Sequence, residues 1–178
     1  FLNIAYTLQR HMCIRENFTH NRENNIKING NPTGRFNFLY NLFSAKGKYI
    51  ALCEGDDYWT DPLKLQKQVN FLEANPNYVL TFHPCHFLRM KKNLDRRIYR
   101  EQPIDYLQYD YTVGNLLSKW GIPTASLVFR SEIKVLPSWF KRISSGDIAL
   151  VMMLFEKGRF KLFEEHMSVY RITGTGVS

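Results

Sequence analysis

The chain has 178 residues, 44% hydrophobic and 15% aromatic, which suits one domain with a real core and excludes a disordered chain. No apolar run approaches the roughly 18–20 residues that span a bilayer, and the opening FLNIAYTLQR has neither the charged lead nor the apolar stretch of a secretory signal. Lys and Arg number 24 against 16 Asp and Glu, a net charge of +8, which favours anionic partners such as nucleotide phosphates, nucleic acid or an acidic membrane surface.

The three cysteines, Cys13, Cys53 and Cys85, are widely spaced and odd in number, which argues against a disulfide framework and for a reducing cytoplasm. The chain starts without Met, which suggests a fragment or a processed product. Along the chain, Phe1, Ile4, Leu8 and Met12 have a spacing compatible with a helix. After the polar stretch Thr19–Asn25 comes a short strand candidate, Ile26–Ile28, and the turn signal Asn29–Gly34. Phe36, Leu39, Tyr40 and Phe43 share one helical face, Gly47 marks the helix stop, and Tyr49–Cys53 reads as a strand buried on both faces. Strand, helix and strand within about thirty residues predict a right-handed βαβ unit with parallel strands. Ligands in such sheets bind beyond the strands' carboxyl ends.

Downstream, Thr60-Asp61-Pro62 starts a helix with Leu65, Val69 and Leu72 inward, and Asn75-Pro76 ends it. Tyr78–Phe82 and Thr124–Phe129 are strand candidates, and residues 89–101 form a basic loop or exposed hairpin. Ser144-Ser145-Gly146-Asp147 leads into a helix over Ile148–Glu156 closed by Gly158, and Phe160–Phe163 and Met167–Arg171 are short late strands.

The chemistry concentrates at Glu54–Trp59, EGDDYW, which follows the buried strand. Adjacent side chains in a strand point to opposite faces, so Asp56 and Asp57 share a site only where the chain turns, which Gly55 permits. Two like charges held close need a cation or hydrogen-bond donors. A hard divalent ion such as Mn²⁺ or Mg²⁺ bridges one or two carboxylates to substrate phosphates. An isolated Asp-Asp pair is more often a solvated acidic turn capping the next helix.

The run Ala45–Trp59 closely resembles the centre of family-2 glycosyltransferases of the GT-A fold, where a strand after an A-K-G-K-Y-I lead delivers the metal-binding Asp-x-Asp (DXD) type of motif. Similarity continues through Asn31–Gly34, Asn37, Thr60–Gln68, Phe71–Pro76, Ile122–Arg130, Gly146-Asp147 and Val169–Arg171. The resemblance implies an α/β fold with a mostly parallel, Rossmann-related sheet flanked by helices. It implies one domain over 1–178, with an atypical segment at 1–25, a donor- and metal-binding part at 26–84 and an acceptor-side part at 85–178. No Pro-Tyr-Asn-like strand end precedes Ile26, so the nucleotide-binding first strand is expected to be lacking.

The implied activity is inverting transfer from a nucleotide-sugar donor to a glycan or lipid-linked acceptor hydroxyl, in bacterial surface polysaccharide biosynthesis. Asp57 would be the direct Mn²⁺ or Mg²⁺ ligand, with Asp56 on the metal shell or the donor ribose. Glu54, Arg35 and Arg171 would complete the donor site, Asp147 would be the general base, and Tyr58 and Trp59 would form an acceptor-side aromatic wall. Each has a plainer reading: Asp147 as a helix-start acid, Arg35 and Arg171 as solvated arginines, Trp59 as core. Where relatives carry His two residues after the Tyr-Arg pair, Thr173 stands here.

His83-Pro84-Cys85-His86 is too tightly spaced for a tetrahedral zinc site and has no second ligand pair. Arg89, Lys91, Lys92, Arg96, Arg97 and Arg100 make a solvated surface or a dock for anionic lipid at the inner membrane face. No nucleic-acid motif accompanies them. A non-catalytic or incomplete binding module of the same fold is the alternative function.

Overall fold

The computed structural model describes residues 4–8, 27–28, 31–32, 35–90, 97–102, 121–133, 135–143 and 145–172. Its centre is the five-residue run Tyr49–Cys53 (β4), buried at every position. Ile50 and Leu52 face one core and Tyr49 and Ala51 the other, the period-2 alternation of a strand covered on both sides. Around it lie β1 (Ile4–Leu8), β6 (Tyr78–Phe82), β9 (Val128–Arg130) and β10 (Arg159–Leu162), in the spatial order β1-β4-β9-β6-β10.

Two features correct the sequence expectations. The sheet is mixed: β1 pairs parallel with β4 and β10 with β6, whereas β9 is antiparallel to both its neighbours. The chain re-enters the sheet at Ile122–Leu127 from the end where β4 and β6 leave it, so β9 must run backwards. Second, a strand does precede Ile26. Ile4–Leu8 forms β1, in register with β4 from Ile4↔Tyr49 to Leu8↔Cys53. The helical spacing there is overridden by the β-favouring Ile, Tyr and Thr and by the hydrogen bonds β4 offers. The expected partner of β4, around Ile26–Ile28, instead forms a small antiparallel pair of its own, β2 (Lys27–Ile28) with β3 (Asn31–Pro32).

Helices cover both faces. On one side, α1 (Arg35–Ser44) contributes Phe38 and Leu42, and α3 (Gly146–Phe155) contributes Ala149, Leu150, Val151, Met153 and Leu154. The face read from sequence is out of phase: Tyr40 and Phe43 are exposed, and Phe38 and Leu42 point inward. On the other side, α2 (Lys64–Ala74) packs Val69 and Leu72 on Tyr49, Ala51 and Val128. This helix starts later than expected. Asp61 closes the preceding turn, its Oδ1 accepting the Leu63 N–H at 2.7 Å.

Thr124–Phe129 is also not one strand, because Thr124–Ser126 is a buried 3-10 turn ahead of β9. Gly158 stands beyond the end of α3, and its function is clearance: a Cβ there would sit 2.8 Å from both the Asn77 carbonyl oxygen and Val79 Cγ1.

A second sheet, β5-β11-β7-β8, lies at the carboxyl end of the first. It joins β5 (Tyr58–Trp59), β11 (Ser168–Ile172), β7 (His86–Met90) and β8 (Arg97–Glu101). The expected basic hairpin is the antiparallel pair β7–β8; Arg89 and Arg100 are exposed on it, while Lys91, Lys92 and Arg96 lie outside the described residues, as does the Arg97 side chain. Among the described residues no helix is long and apolar enough to cross a membrane.

Candidate active site

Because β4 and β6 run the same way and β9 runs against them, one edge of the main sheet gathers three segments. These are Glu54–Trp59 after β4, His83–Cys85 after β6 and the Thr124–Ser126 turn before β9. The ladder extends into this edge through Leu52 N–H to the Leu127 carbonyl, 3.1 Å.

The acidic segment turns as Gly55 permits: the Asp57 N–H donates to the Glu54 carbonyl at 3.1 Å. Tyr58-Trp59 then pairs with Ser168-Val169 of β11. Asp57 is 7% exposed. Its Oδ1 accepts the Arg171 backbone N–H at 2.9 Å, while its Oδ2 is buried without a partner among the described residues. Arg171 also donates from Nε to the Asp56 carbonyl and lies over the Tyr58 ring, 5.8 Å from its centroid. Arg171 therefore pins the acidic turn to β11 with both backbone and side chain.

Burial pushes Asp57 up to about 7, opposed by the Arg171 N–H. Glu54 is likewise pushed up to about 7, by burial first and then by the charges of Asp57, Asp147 and Asp56. The Tyr170 phenol is raised by burial and by Glu54, Asp57, Asp56 and Asp147 together. Asp147 comes from the first turn of α3 on the opposite face of the sheet from α2, yet its charge reaches Glu54 and Tyr170. The four carboxylates thus share one electrostatic neighbourhood. None of them takes part in the ion pairs among the described residues, which join Lys48 to Glu73 and Lys67 to Asp61 and Glu165.

Asp147 is held by three donors. Thr124 Oγ1 reaches its Oδ2 at 3.2 Å; the Ile148 N–H, at 2.8 Å, and Ser145 Oγ reach its Oδ1. Ser145 occupies the N-cap position without a side-chain cap bond. Tyr58 is 42% exposed. Trp59 packs against the smaller core, donates from Nε1 to the Ala125 carbonyl at 2.9 Å and carries Lys64 Nζ 4.6 Å from its ring centroid. Arg35 is the first residue of α1, with its side chain outside the described set, and Thr173 also lies outside it.

Three residues at this edge carry no signal that sequence reasoning assigned. Lys64 is 1% exposed, bonded from Nζ to Gln68 Oε1 at 2.8 Å, and burial lowers it to about 7. A lysine in a Lys- and Gln-rich helix reads as solvated. Thr124 and Tyr170 lie inside stretches the family resemblance covers, but only the folded geometry sets them beside Asp147 and the acidic turn.

His83 is wholly buried, its Nδ1 2.7 Å from the Pro84 carbonyl oxygen, and burial lowers it to about 3. Cys85 turns to Gln102, and burial raises its thiol to about 12. Among the described residues no three His, Cys, Asp or Glu side chains gather as a metal cluster.

No family model matches the chain. It is 33% identical over 167 residues to uncharacterized proteins of Mycobacterium bovis and of Mycobacterium tuberculosis strains CDC 1551 and H37Rv, an alignment covering 88% of this chain and 42% of each relative. The chain therefore spans about two fifths of the length of the curated relatives it matches. Among solved structures it is similar to TarS of S. aureus, with 14% identity, 77% of this chain and 24% of that chain covered, and a TM-score of 0.43.

Proposed function

We propose that the chain carries the donor and catalytic site of an inverting, divalent-metal-dependent glycosyltransferase that takes a nucleotide-sugar donor. The observation that carries this reading is the buried Asp57 Oδ2, unpartnered among the described residues, in the acidic turn at the carboxyl edge of the sheet, where Glu54 also feels the charges of Asp57, Asp147 and Asp56. Carboxylates crowded and partly buried in this way raise one another's energy, and a cation relieves them.

The residues fit a cation on the chemistry of the donor set. Asp57 Oδ2 is a buried oxygen with no described partner, and a cation here would draw its other ligands from substrate phosphates and water. Asp57 would hold the ion, with Asp56 beside it. Bound there, Mn²⁺ or Mg²⁺ would neutralise charge on the departing diphosphate.

Asp147 is the general base. Its position in the first turn of α3 and its three donors fix the carboxylate. It takes the proton of the acceptor hydroxyl as that oxygen bonds to the anomeric carbon. The bond from that carbon to the diphosphate oxygen breaks on the opposite face, inverting the configuration. Glu54, its carboxyl pushed up by burial, would hydrogen-bond the donor. Tyr58 offers an exposed ring to the acceptor, and Arg35, first residue of α1, would contact the donor phosphates. Acceptors are glycan or lipid-linked, met at the inner membrane face through the basic β7–β8 hairpin.

A second reading, a non-catalytic binding module, is favoured by one observation: half of the Asp57 carboxylate is already engaged in holding β11. Calorimetric titration with UDP-, GDP- and dTDP-sugars, with and without Mn²⁺, tests the proposal. Mn²⁺-dependent binding of one donor, lost in Asp57→Asn, is expected. Binding indifferent to both Mn²⁺ and Asp57 would leave the binding module as the better description, and no binding at all would defeat both.

A further inference from the structure

The 3-10 turn Thr124–Ser126 stands between the two halves of the site and is bonded to each. On the acidic side, Trp59 of EGDDYW donates its indole N–H to the Ala125 carbonyl at 2.9 Å. From below, Gln68 of α2 donates to the Ser126 carbonyl at 2.9 Å and to Thr81 Oγ1 of β6 at 3.1 Å. The turn closes on itself through Ser126 Oγ to the Pro123 carbonyl, 2.6 Å. All three of its residues are buried. On the far side, the Thr124 hydroxyl donates to Asp147 Oδ2 at 3.2 Å.

We propose that Thr124 is a positioning residue: its hydroxyl fixes the Asp147 carboxylate relative to the acidic turn, with the Trp59–Ala125 bond as the other end of the same brace. This rests on the reading of Asp147 as the base, and it explains the placement of a buried hydroxyl that packing alone does not require. Asp147 belongs to α3 and the acidic turn to the β4–β5 connection. Among the described residues, the Thr124–Ser126 turn is bonded to Asp147 and, through Ala125, to Trp59 of β5, the strand that leaves the acidic turn. The Ser145 and Ile148 donors both fall on Oδ1 and are local to the helix start. Thr124 is the donor on Oδ2 from outside α3, so its loss frees the carboxylate to turn about Cβ–Cγ.

The test compares Thr124→Val, which keeps the shape and removes the hydroxyl, with Thr124→Ser, which keeps the hydroxyl. Thr124→Ala serves as a second hydroxyl-free variant if valine prevents folding. Two readouts are taken: the ¹³Cγ resonance of Asp147 in the free protein, and turnover of UDP-glucose, GDP-mannose and dTDP-rhamnose with Mn²⁺ across pH. A hydrogen bond to a charged group corresponds to about tenfold or more in rate. The expected result is that valine moves the resonance, lowers kcat about tenfold with little change in donor KM and displaces the acid limb of the rate profile, while serine restores all three. A folded valine or alanine variant with unmoved resonance and wild-type kcat overturns the proposal. If the wild-type protein turns over none of the donors, the transferase reading fails by itself. The resonance then decides alone: movement restored by serine upholds the brace, and no movement overturns it.

Discussion

Lys64 is buried against Trp59 and Gln68 with no carboxylate partner among the described residues, and this has a measurable consequence. Its ammonium is lowered from 10.5 to about 7, by burial first, with Cys53 opposing. In the unfolded chain Lys64 keeps its proton up to about 10.4; in the folded protein it releases it near 7. Between these values the unfolded state binds more protons, so this group makes stability rise with pH from about 7 to about 10.5. At roughly 1.4 kcal/mol per pH unit the full window is worth on the order of 4–5 kcal/mol.

Lys64→Met removes the titrating group, and with it the ammonium over the Trp59 ring, while keeping an unbranched side chain of similar length. It also leaves Gln68 Oε1 without its Lys64 donor, at a pH-independent cost of about 1–3 kcal/mol. Urea unfolding of both proteins at pH 7, 8, 9 and 9.5 gives the difference in stability. Wild type minus variant is expected to rise by about 3 kcal/mol across that range. The thiols of Cys53 and Cys85, raised to about 11 and about 12, are common to both proteins and cancel to first order. A difference that stays flat with pH would show that Lys64 remains charged in the folded state and would refute the reasoning.

Three further outcomes are expected. Gly158→Ala forces a Cβ to 2.8 Å from the Asn77 carbonyl oxygen, which already accepts the Arg159 N–H; thermal melting should show a loss of about 1–3 kcal/mol, and an unchanged Tm would contradict the close approach. Asp57→Asn keeps an acceptor for the Arg171 N–H while removing a buried charge, so chemical denaturation at pH 8 should show a gain of about 1–2 kcal/mol; a marked loss would mean that the charge itself holds β11. Arg130 bonds the Tyr78 and Leu72 carbonyls and the Tyr49 hydroxyl at the opposite end of the strands. Arg130→Met should therefore lower stability by about 2 kcal/mol or more and leave donor affinity by calorimetry unchanged, whereas an affinity loss in the folded variant would tie that end to the site.

The strongest local signals were readable directly. Tyr49–Cys53 is apolar at every position because it is covered on both faces, and the Gly-containing acidic segment turns where a strand of that kind must exit. Period was also legible in α1, but phase was not: Phe38 and Leu42 satisfy helical spacing as well as Leu39 and Phe43 do, and only the position of α3 decides between them. Ile4–Leu8 failed for the opposite reason, since its helical spacing is local whereas its strand pairing depends on a partner more than forty residues away. The reversal of β9 and the split of Thr124–Phe129 into turn and strand follow from where the chain re-enters the sheet, which no window of sequence contains. The candidate acids were visible as residue types; their electrostatic coupling was not, because Asp147 acts on Glu54 from a helix on the other side of the sheet. The supporting groups Lys64, Thr124 and Tyr170 were hidden for the same reason.

The most direct test of the shared acidic site separates binding from chemistry in one titration series. Donor affinity with Mn²⁺ and donor turnover are measured side by side for the wild-type protein, Asp57→Asn and Asp147→Asn. The expected result is a split: Asp147→Asn binds donor as wild type does but turns over at least about a hundredfold more slowly, while Asp57→Asn loses Mn²⁺-dependent binding itself. If neither substitution affects either quantity in folded protein, Asp57 and Asp147 are structural and the site is not catalytic.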